Sequence, residues 1–478
     1  MISKQDILDR AAEWQLRPEV VEKDYILGWV LAALASNPEM RAGWILKGGT
    51  CIKKCYVETY RFSEDLDFSL LPDASYSEAA IRETLAILAR IGSELSGIDF
   101  PKDMIQVRAR RDKLGRSTFE GRVAYHGPLG VPARFPTALP RVIFDITRHE
   151  PVFDPPSPRL PFHPYPDLLP DGLSVLTYSL NELLAEKVRA LYERTRPRDL
   201  YDVVYLLENQ PGGFNFPRVC ELFGMKCAAK EFEAPLAAGL LRVAETTEEL
   251  RTEWEHMLAH QLPNLPKLDD LLFRLPALLR WIDEPAAVLP EMALASVPTP
   301  AATSLVATAG IQYWGSSLPL EVIRFAGANR LMIEFAYDGT RRLVEPYSLR
   351  RSSAGNLLLY GWERGSTHIK AFNIAKMSAV RSTNIAFQPR YRVEFTSSGP
   401  LSMPLAAAPM PQVSYLEHRP QQRRRRHPTT SGLIYVFVCP YCQIQFRHSK
   451  NDSTLRKHKA PDGPWDCPGR RGDLVSIA

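Results

Sequence analysis

The sequence predicts an α+β fold in several units, and three observations predict it. A strand, a glycine turn, a short helix and a second strand are readable between Ala42 and Leu71. An apolar strand, Arg141 to Thr147, is followed by helical patterning that runs to about Glu284, and beyond it the pattern changes to short alternating segments. At 478 residues, 45% of them hydrophobic, the chain is long enough for more than one core.

Taken in order, apolar residues recur at helical spacing from Ser3 to about Ser36, ahead of the strand–turn–helix–strand run. Ser179 to Leu207 repeats helical spacing with an interruption at Pro197. Pro285 to Ala309, rich in proline and alanine, reads as a linker, and Val322 to Phe395 as a small β domain with turns at Asp338-Gly339 and Ala354-Gly355. Residues 399–430, with Arg423-Arg424-Arg425-Arg426-His427, read as a disordered linker, and Leu433 to about Arg471 as a last compact unit. The expected organisation is a first domain over 1–285, a linker over 286–310, a β domain over 311–398, a basic linker over 399–430 and a metal-binding module over 431–478.

Met1 to Asp6 runs straight into a charged helical pattern, and no apolar stretch reaches membrane-spanning length, which argues against secretion and membrane insertion. Of the seven cysteines, Cys439, Cys442 and Cys467 cluster with a histidine, pointing to a metal rather than a disulfide framework and so to a cytoplasmic setting. The net charge of +5 is uneven: residues 399–478 hold 12 Lys and Arg against 5 Asp and Glu, leaving about −2 for the rest.

Leu46-Lys47-Gly48-Gly49-Thr50 ends a strand and opens a helix, so backbone N–H groups and a hydroxyl face outward where a triphosphate fits. In Arg61-Phe62-Ser63-Glu64-Asp65-Leu66-Asp67 the two aspartates, two apart on a strand, share one face. Two like charges there call for a cation, and magnesium suits carboxylates and phosphate. Asp145, inside the apolar strand Val142 to Ile146, is expected to be a third, buried carboxylate, with an arginine partner as the plainer alternative.

Those segments, with Glu186-Lys187 and Arg198-Asp199-Leu200-Tyr201-Asp202, resemble the AbiEii/AbiGii nucleotidyltransferases, toxin components of abortive-infection toxin–antitoxin pairs within the polymerase-beta-like superfamily. Glu22-Lys23-Asp24-Tyr25 resembles that family's N-terminal signature. The resemblance covers about residues 1–285 and implies a polymerase-beta-like core with a helical C-terminal part. It implies transfer of nucleotides from a nucleoside triphosphate to RNA, at the tRNA 3′ end, and an antitoxin encoded nearby. The family's glycine–hydroxyl turn matches Gly48, Gly49 and Thr50, beside Lys47, and its metal-binding pair matches Asp65 and Asp67, with Asp145 assisting deprotonation of the acceptor. Lys187, Asp199 and Arg198 match the later motif and are expected at the nucleotide, with Arg194 as a further phosphate contact; an ion pair between Lys187 and Asp199 is the alternative. The 14 residues between Thr50 and Asp65 exceed the family's spacing slightly, an excess that one more helical residue within Cys51 to Tyr60 absorbs.

Arg324 to Phe395 resembles a WYL domain, a small SH3-like β unit of regulators and defence proteins, although Leu357-Leu358-Leu359 replaces the namesake Trp-Tyr-Leu. Arg341, Arg342, Arg350 and Arg351 are candidates for phosphate contact or for a solvated face. In the tail, Cys439, Cys442, His458 and Cys467 suit tetrahedral structural zinc, with His448 competing for the fourth place, and Phe446 and Leu455 serve as a finger's small core. The surrounding basic residues make nucleic acid a candidate partner there. The competing functional reading is a nucleic-acid-binding regulator whose transferase core senses nucleotide or modifies a protein.

Overall fold

The computed structural model describes residues 1–58, 60–112, 114–130, 139–209, 213–301, 303–306, 319–395 and, near the C-terminus, 435–440, 442–448, 452–456, 458, 467, 471 and 473–477. The basic segment 399–430 lies outside the described residues. The chain divides into two compact units, residues 1–405 and 406–478.

The first helical stretch is two helices. Ser3 opens α1 (Lys4–Trp14) with a capping box to Asp6, left-handed Gln15 closes it, and Pro18 starts α2 (Pro18–Ser36). From Val20 to Ala35 α2 is buried on every side, which its lack of a polar face requires. No helix among the described residues is long and apolar enough to cross a membrane.

After α3 (Pro38–Gly43) come β1 (Trp44–Lys47), α4 (Gly48–Cys51) and β2 (Asp65–Leu70). Helix α4 continues into a π-helical turn, Ile52–Tyr56. A π turn is how a helix takes in one surplus residue, and it falls where the long Thr50–Asp65 interval calls for one. Then follow α5 (Glu78–Ser96), β3 (Gln106–Arg111), β4 (Ser117–Ala124), β5 (Arg141–Thr147), β6 (Ser157–Arg159) and β7 (Val175–Thr177). The helical part consists of α6 (Leu180–Arg194), α7 (Pro197–Asn209), α8 (Phe216–Ala228), α9 (Ala237–Thr246), α10 (Glu248–Thr252), α11 (Trp254–Leu258) and α12 (Leu268–Leu279). The seven strands form one mixed sheet in the order β3-β4-β5-β2-β1-β7-β6, with β2 parallel to β5 and antiparallel to β1.

Part of the expected linker over 286–310 is packed down. Leu289 and Val297 are buried in the main core, and β8 (Ser304–Leu305) pairs with Arg350 and Arg351. Apolar side chains at those two positions anchor a proline-rich stretch whose composition alone suggests solvent. The β region likewise opens with a helix, α13 (Leu320–Ala328), before β9 (Leu331–Tyr337), β10 (Thr340–Arg351), β11 (Leu357–Glu363), β12 (Lys370–Asn373) and β13 (Met377–Ala386). These strands and β8 make a six-stranded sheet. Asp338 and Gly339, both at positive φ, form the expected tight hairpin turn.

The C-terminal unit contains an antiparallel sheet of β14 (Tyr435–Val438), β15 (Gln445–His448) and β16 (Asp473–Ile477), with β14 central. Its buried cluster is Phe437, Cys439, Leu455 and Cys467.

Candidate active site

Strand register builds the acidic centre. Lys47 of β1 lies opposite Asp67 of β2, Asp67 opposite Asp145 of β5, and Asp145 opposite Glu120 of β4. Directly opposed residues point to one face of a sheet, so a row of charges crosses four strands there, and Asp65 joins it two residues before Asp67. Asp145 is not buried as its apolar strand suggests: it is exposed at the cleft, because only its neighbours Phe144 and Ile146 face the core. Removal from bulk water in the cleft, then the charges of Asp67, Asp65 and Glu120, push its carboxyl up to about 6. Asp65 is raised by the same causes, desolvation first and Asp67 next.

The glycine turn fits against this row without slack. Gly48 has φ +75°, and a Cβ on it would stand 2.0 Å from Oδ2 of Asp67. At Gly49 a Cβ would meet Oγ of Ser63 at 2.9 Å. Glycine here lets the start of α4 press onto the acidic strand. The Thr50 hydroxyl, expected to face the triphosphate, is fully buried and donates to the backbone carbonyl of Asp65. Its role is to fasten α4 to β2.

Most cations of the motif are already paired. Asp202, fully buried, accepts from Arg61 Nε and Nη2 at 2.6 and 2.8 Å and from Lys187 Nζ at 2.7 Å. Asp199 is also buried, but its partner is Arg194, through two bonds of 2.8 Å, rather than Lys187. Lys47 pairs with Glu150, and burial lowers its ammonium to about 8 against the raising effect of Glu186 and Asp67. Arg198 differs: its buried Nε has no hydrogen-bond partner among the described residues, and burial followed by the nearby Arg61 charge lowers its pKa.

Two cavities meet at this row. One, of about 810 Å³, is bordered by Gly49, Asp65, Arg17, Arg196, Arg198 and His260. The other, of about 260 Å³, is bordered by Lys47, Gly48, Thr118, Thr147, Glu150 and Arg189. Asp67, Asp145, Lys187 and Arg194 border both. All sequence-predicted site residues of the first domain are thus gathered here except Thr50, which lies beneath, and Asp199 enters as a paired group.

Sequence reasoning missed Arg61, Glu120 and Glu150 as parts of the site. Arg61 had a signal, since it heads the acidic motif. Glu120 and Glu150 had none, because strand pairing and a loop bring them in. The Glu22–Tyr25 segment is a brace: Glu22 accepts from Leu129 N, Lys23 donates to Arg141 O, Asp24 pairs with buried Lys54 at 2.9 Å, and Tyr25 donates to Asp167.

In the C-terminal unit the ligand atoms of Cys439, Cys442, His458 and Cys467 all lie within 4.8 Å of one another. Cys439 Sγ is 3.6 Å from Cys467 Sγ, and His458 Nε2 is 3.2 Å from Cys442 Sγ. His448 stands outside the group, its ring against Phe437. On the β domain, Arg341, Arg342 and Arg350 pair with Glu334, Glu363 and Glu394; Arg341 is exposed, whereas Arg350 and Glu394 are mostly covered.

Comparison with known proteins gives two similarities. A family model described as nucleotidyl transferase AbiEii toxin, type IV TA system, matches residues 29–278. Among solved structures, MenT4, a nucleotidyltransferase toxin from Mycobacterium tuberculosis H37Rv, is similar at 20% identity over 57% of this chain and 99% of that chain, with a TM-score of 0.35. No curated protein matches.

Proposed function

Since the chain belongs to the AbiEii nucleotidyltransferase toxins of type IV toxin–antitoxin systems, we propose that it transfers a nucleotide from a nucleoside triphosphate to the 3′ end of an RNA, tRNA foremost, with an antitoxin as its cellular counterpart. The observation that carries this reading is the register that sets Asp67 beside Asp145 and against Gly48, with Arg198, whose Nε has no partner among the described residues, lining the larger cavity.

The carboxylates of Asp65, Asp67 and Asp145 are a hard, oxygen-only donor set in which desolvation first and mutual repulsion next make ionisation of Asp65 and Asp145 harder, and they suit magnesium. A divalent cation on Asp65 and Asp67 supplies charge neutralisation at the α-phosphate. Backbone N–H groups at the start of α4 and the Arg198 guanidinium orient the triphosphate. Lys187, already shared with Asp202, contributes its charge from the wall. Asp145 accepts the proton of the acceptor hydroxyl, whose oxygen bonds to the α-phosphorus as the bond to pyrophosphate breaks. The larger cavity carries Glu64, Glu253 and Glu255 as well as Arg17, Arg196 and Arg198, so contacts to the phosphates of an acceptor fall to those three arginines.

Incubation of the purified chain with each α-labelled nucleoside triphosphate, magnesium and total cellular RNA tests this reading. Label in a tRNA-sized band is expected from the wild type only; label in protein, or none, would overturn the RNA acceptor.

The Asp145 value gives a pH prediction. Asp145 can take the acceptor's proton only when ionised, so kcat is expected to fall about tenfold per pH unit below 6. Single-turnover transfer at saturating magnesium and triphosphate measures it; a rate flat between pH 5 and 7 would contradict it. For the metal-free fold the sign is the opposite. The folded carboxyl holds a proton that the unfolded chain has lost between about pH 4 and 6, so this group's contribution to stability grows as pH falls through 6.

We also propose structural zinc on Cys439, Cys442, His458 and Cys467. Ligands at about 2.3 Å from a tetrahedral ion stand about 3.8 Å apart, close to the separations above, and a core of Phe437 and Leu455 is too small to hold the unit alone. One zinc per chain is expected by elemental analysis, lost in Cys467→Ser and kept in His448→Ala; the reverse pattern would make His448 the ligand. The six-stranded unit fits the WYL-like reading, with packing rather than phosphate binding as its role, since its glutamates already neutralise Arg341, Arg342 and Arg350.

A further inference from the structure

Helix α7 has two ends with different neighbours. Its first turns carry Arg198, Asp199 and Asp202 of the site, while its last residues, Glu208 and Asn209, meet the loop that leaves α13. In that loop Arg330 is 1% exposed and sits at φ 57°, a left-handed conformation that a long side chain adopts only when its surroundings enforce it. Its Nη1 donates to the carbonyls of Gly327 at 2.8 Å and Ala328 at 3.1 Å, and its Nη2 donates to that of Glu208 at 3.0 Å. One guanidinium thus caps the C-terminal carbonyls of α13 and α7 together, where a positive charge also meets the negative ends of both helix dipoles.

Adjacent bonds repeat the link. Asn209 Nδ2 donates to Ala328 O at 3.0 Å, and Tyr201 Oη donates to Asn329 Oδ1 at 2.6 Å. Tyr201 is buried directly before Asp202 in sequence, and Tyr205, one turn on, packs its ring edge-on to Tyr60, the neighbour of Arg61. Arg330 is tied in turn to the β unit through Phe387 N, which donates to its carbonyl at 2.9 Å.

We propose that Asn329 and Arg330 are positioning residues for nucleotidyl transfer: the β unit is the fixed support that sets the place of α7, and so of Arg198, relative to Asp65. The proposal rests on the nucleotidyl-transfer reading of the site. It makes the β unit a support of the enzyme rather than a restraint upon it, because every bond described here holds α7 in the arrangement that completes the cavity.

Full-length Arg330→Ala, Arg330→Lys and Tyr201→Phe are compared with wild type by amide hydrogen exchange and by steady-state transfer to RNA. Expected for Arg330→Ala is exchange at least about tenfold faster in α7, with the sheet amides of β1, β2 and β5 unchanged, and a KM for the triphosphate raised about tenfold with kcat within about threefold. Arg330→Lys restores most of the KM, and Tyr201→Phe, which deletes a single hydrogen bond, shifts both readouts in the same direction by less. Unchanged α7 exchange and KM would overturn the proposal, and so would a uniform rise in exchange across sheet and helices, the mark of a purely structural role. If wild type transfers nothing while the exchange pattern appears, the failure belongs to the transfer reading and not to the α7 support.

Discussion

Asp67→Asn is expected to reduce nucleotidyl transfer by at least about a thousandfold in kcat while leaving the fold intact and its melting temperature unchanged or slightly higher. Asp67 stands at the crossing of the charge row, opposite both Lys47 and Asp145, and borders both cavities. The substitution keeps the shape that fits against Gly48 but removes a negative charge from a group that already contains Asp65 and Asp145. Losing a like charge relieves repulsion in the metal-free protein, which is why stability does not fall. It removes a cation ligand at the same time, which is why activity does. Incorporation of label into RNA, followed beside a thermal melt, separates the two effects. Activity within about tenfold of wild type would remove Asp67 from the metal site, and a large drop in melting temperature would make it a structural residue.

How much of this was legible beforehand follows the range of the interactions. The local signals were strong: glycine before a helix, two aspartates at a spacing of two, and an apolar strand interrupted by Asp145 each declare a site residue by position in its own element. The side of the sheet on which Asp145 emerges depends on register with β2, and the sequence pattern suggested burial where the pairing gives an opening to the cleft. The hydroxyl of Thr50 was assigned outward by its place in the turn, yet the carbonyl of Asp65 captures it, a contact created only when α4 folds back onto β2. Partner choice among Lys187, Arg194, Asp199 and Asp202 was equally hidden, since four charges on two successive helices permit several pairings and the helix crossing selects one. The proline-rich stretch near residue 290 shows the same limit from the other side: two apolar residues, Leu289 and Val297, decide its packing, and composition averages them away.

Asp202 gives the largest expected loss of stability. It is fully buried and serves two cations, so Asp202→Ala strands both Arg61 and Lys187 in the interior, whereas Lys187→Ala leaves the two-pronged Arg61–Asp202 pair intact and Arg61→Ala leaves Lys187–Asp202. Removing one partner of a buried pair costs about 3–5 kcal/mol because the remaining charge is left without compensation. The expected order of destabilisation is therefore Asp202→Ala, then Arg61→Ala, then Lys187→Ala, with the first at or above the top of that range. Burial opposes ionisation of Asp202, but Arg61 and Lys187 outweigh it and hold the carboxyl well below the usual carboxylate range. A folded-state value below the unfolded one stabilises the fold at every pH above the unfolded value and loses its effect only as pH falls toward the folded one. The difference between wild type and Asp202→Ala in urea unfolding is thus expected to be full at pH 7 and pH 5 and to shrink only below about pH 4. A difference that fades between pH 7 and 5, or an Arg61→Ala more damaging than Asp202→Ala, would show that the carboxylate is not the hub of this group. Because Asp202 follows Tyr201 on α7, the same substitution also tests whether the ion pair and the support from Arg330 act on one helix. Combining Asp202→Ala with Tyr201→Phe is expected to cost less than the two separate losses together, as residues that share a single rigid element do not add independently.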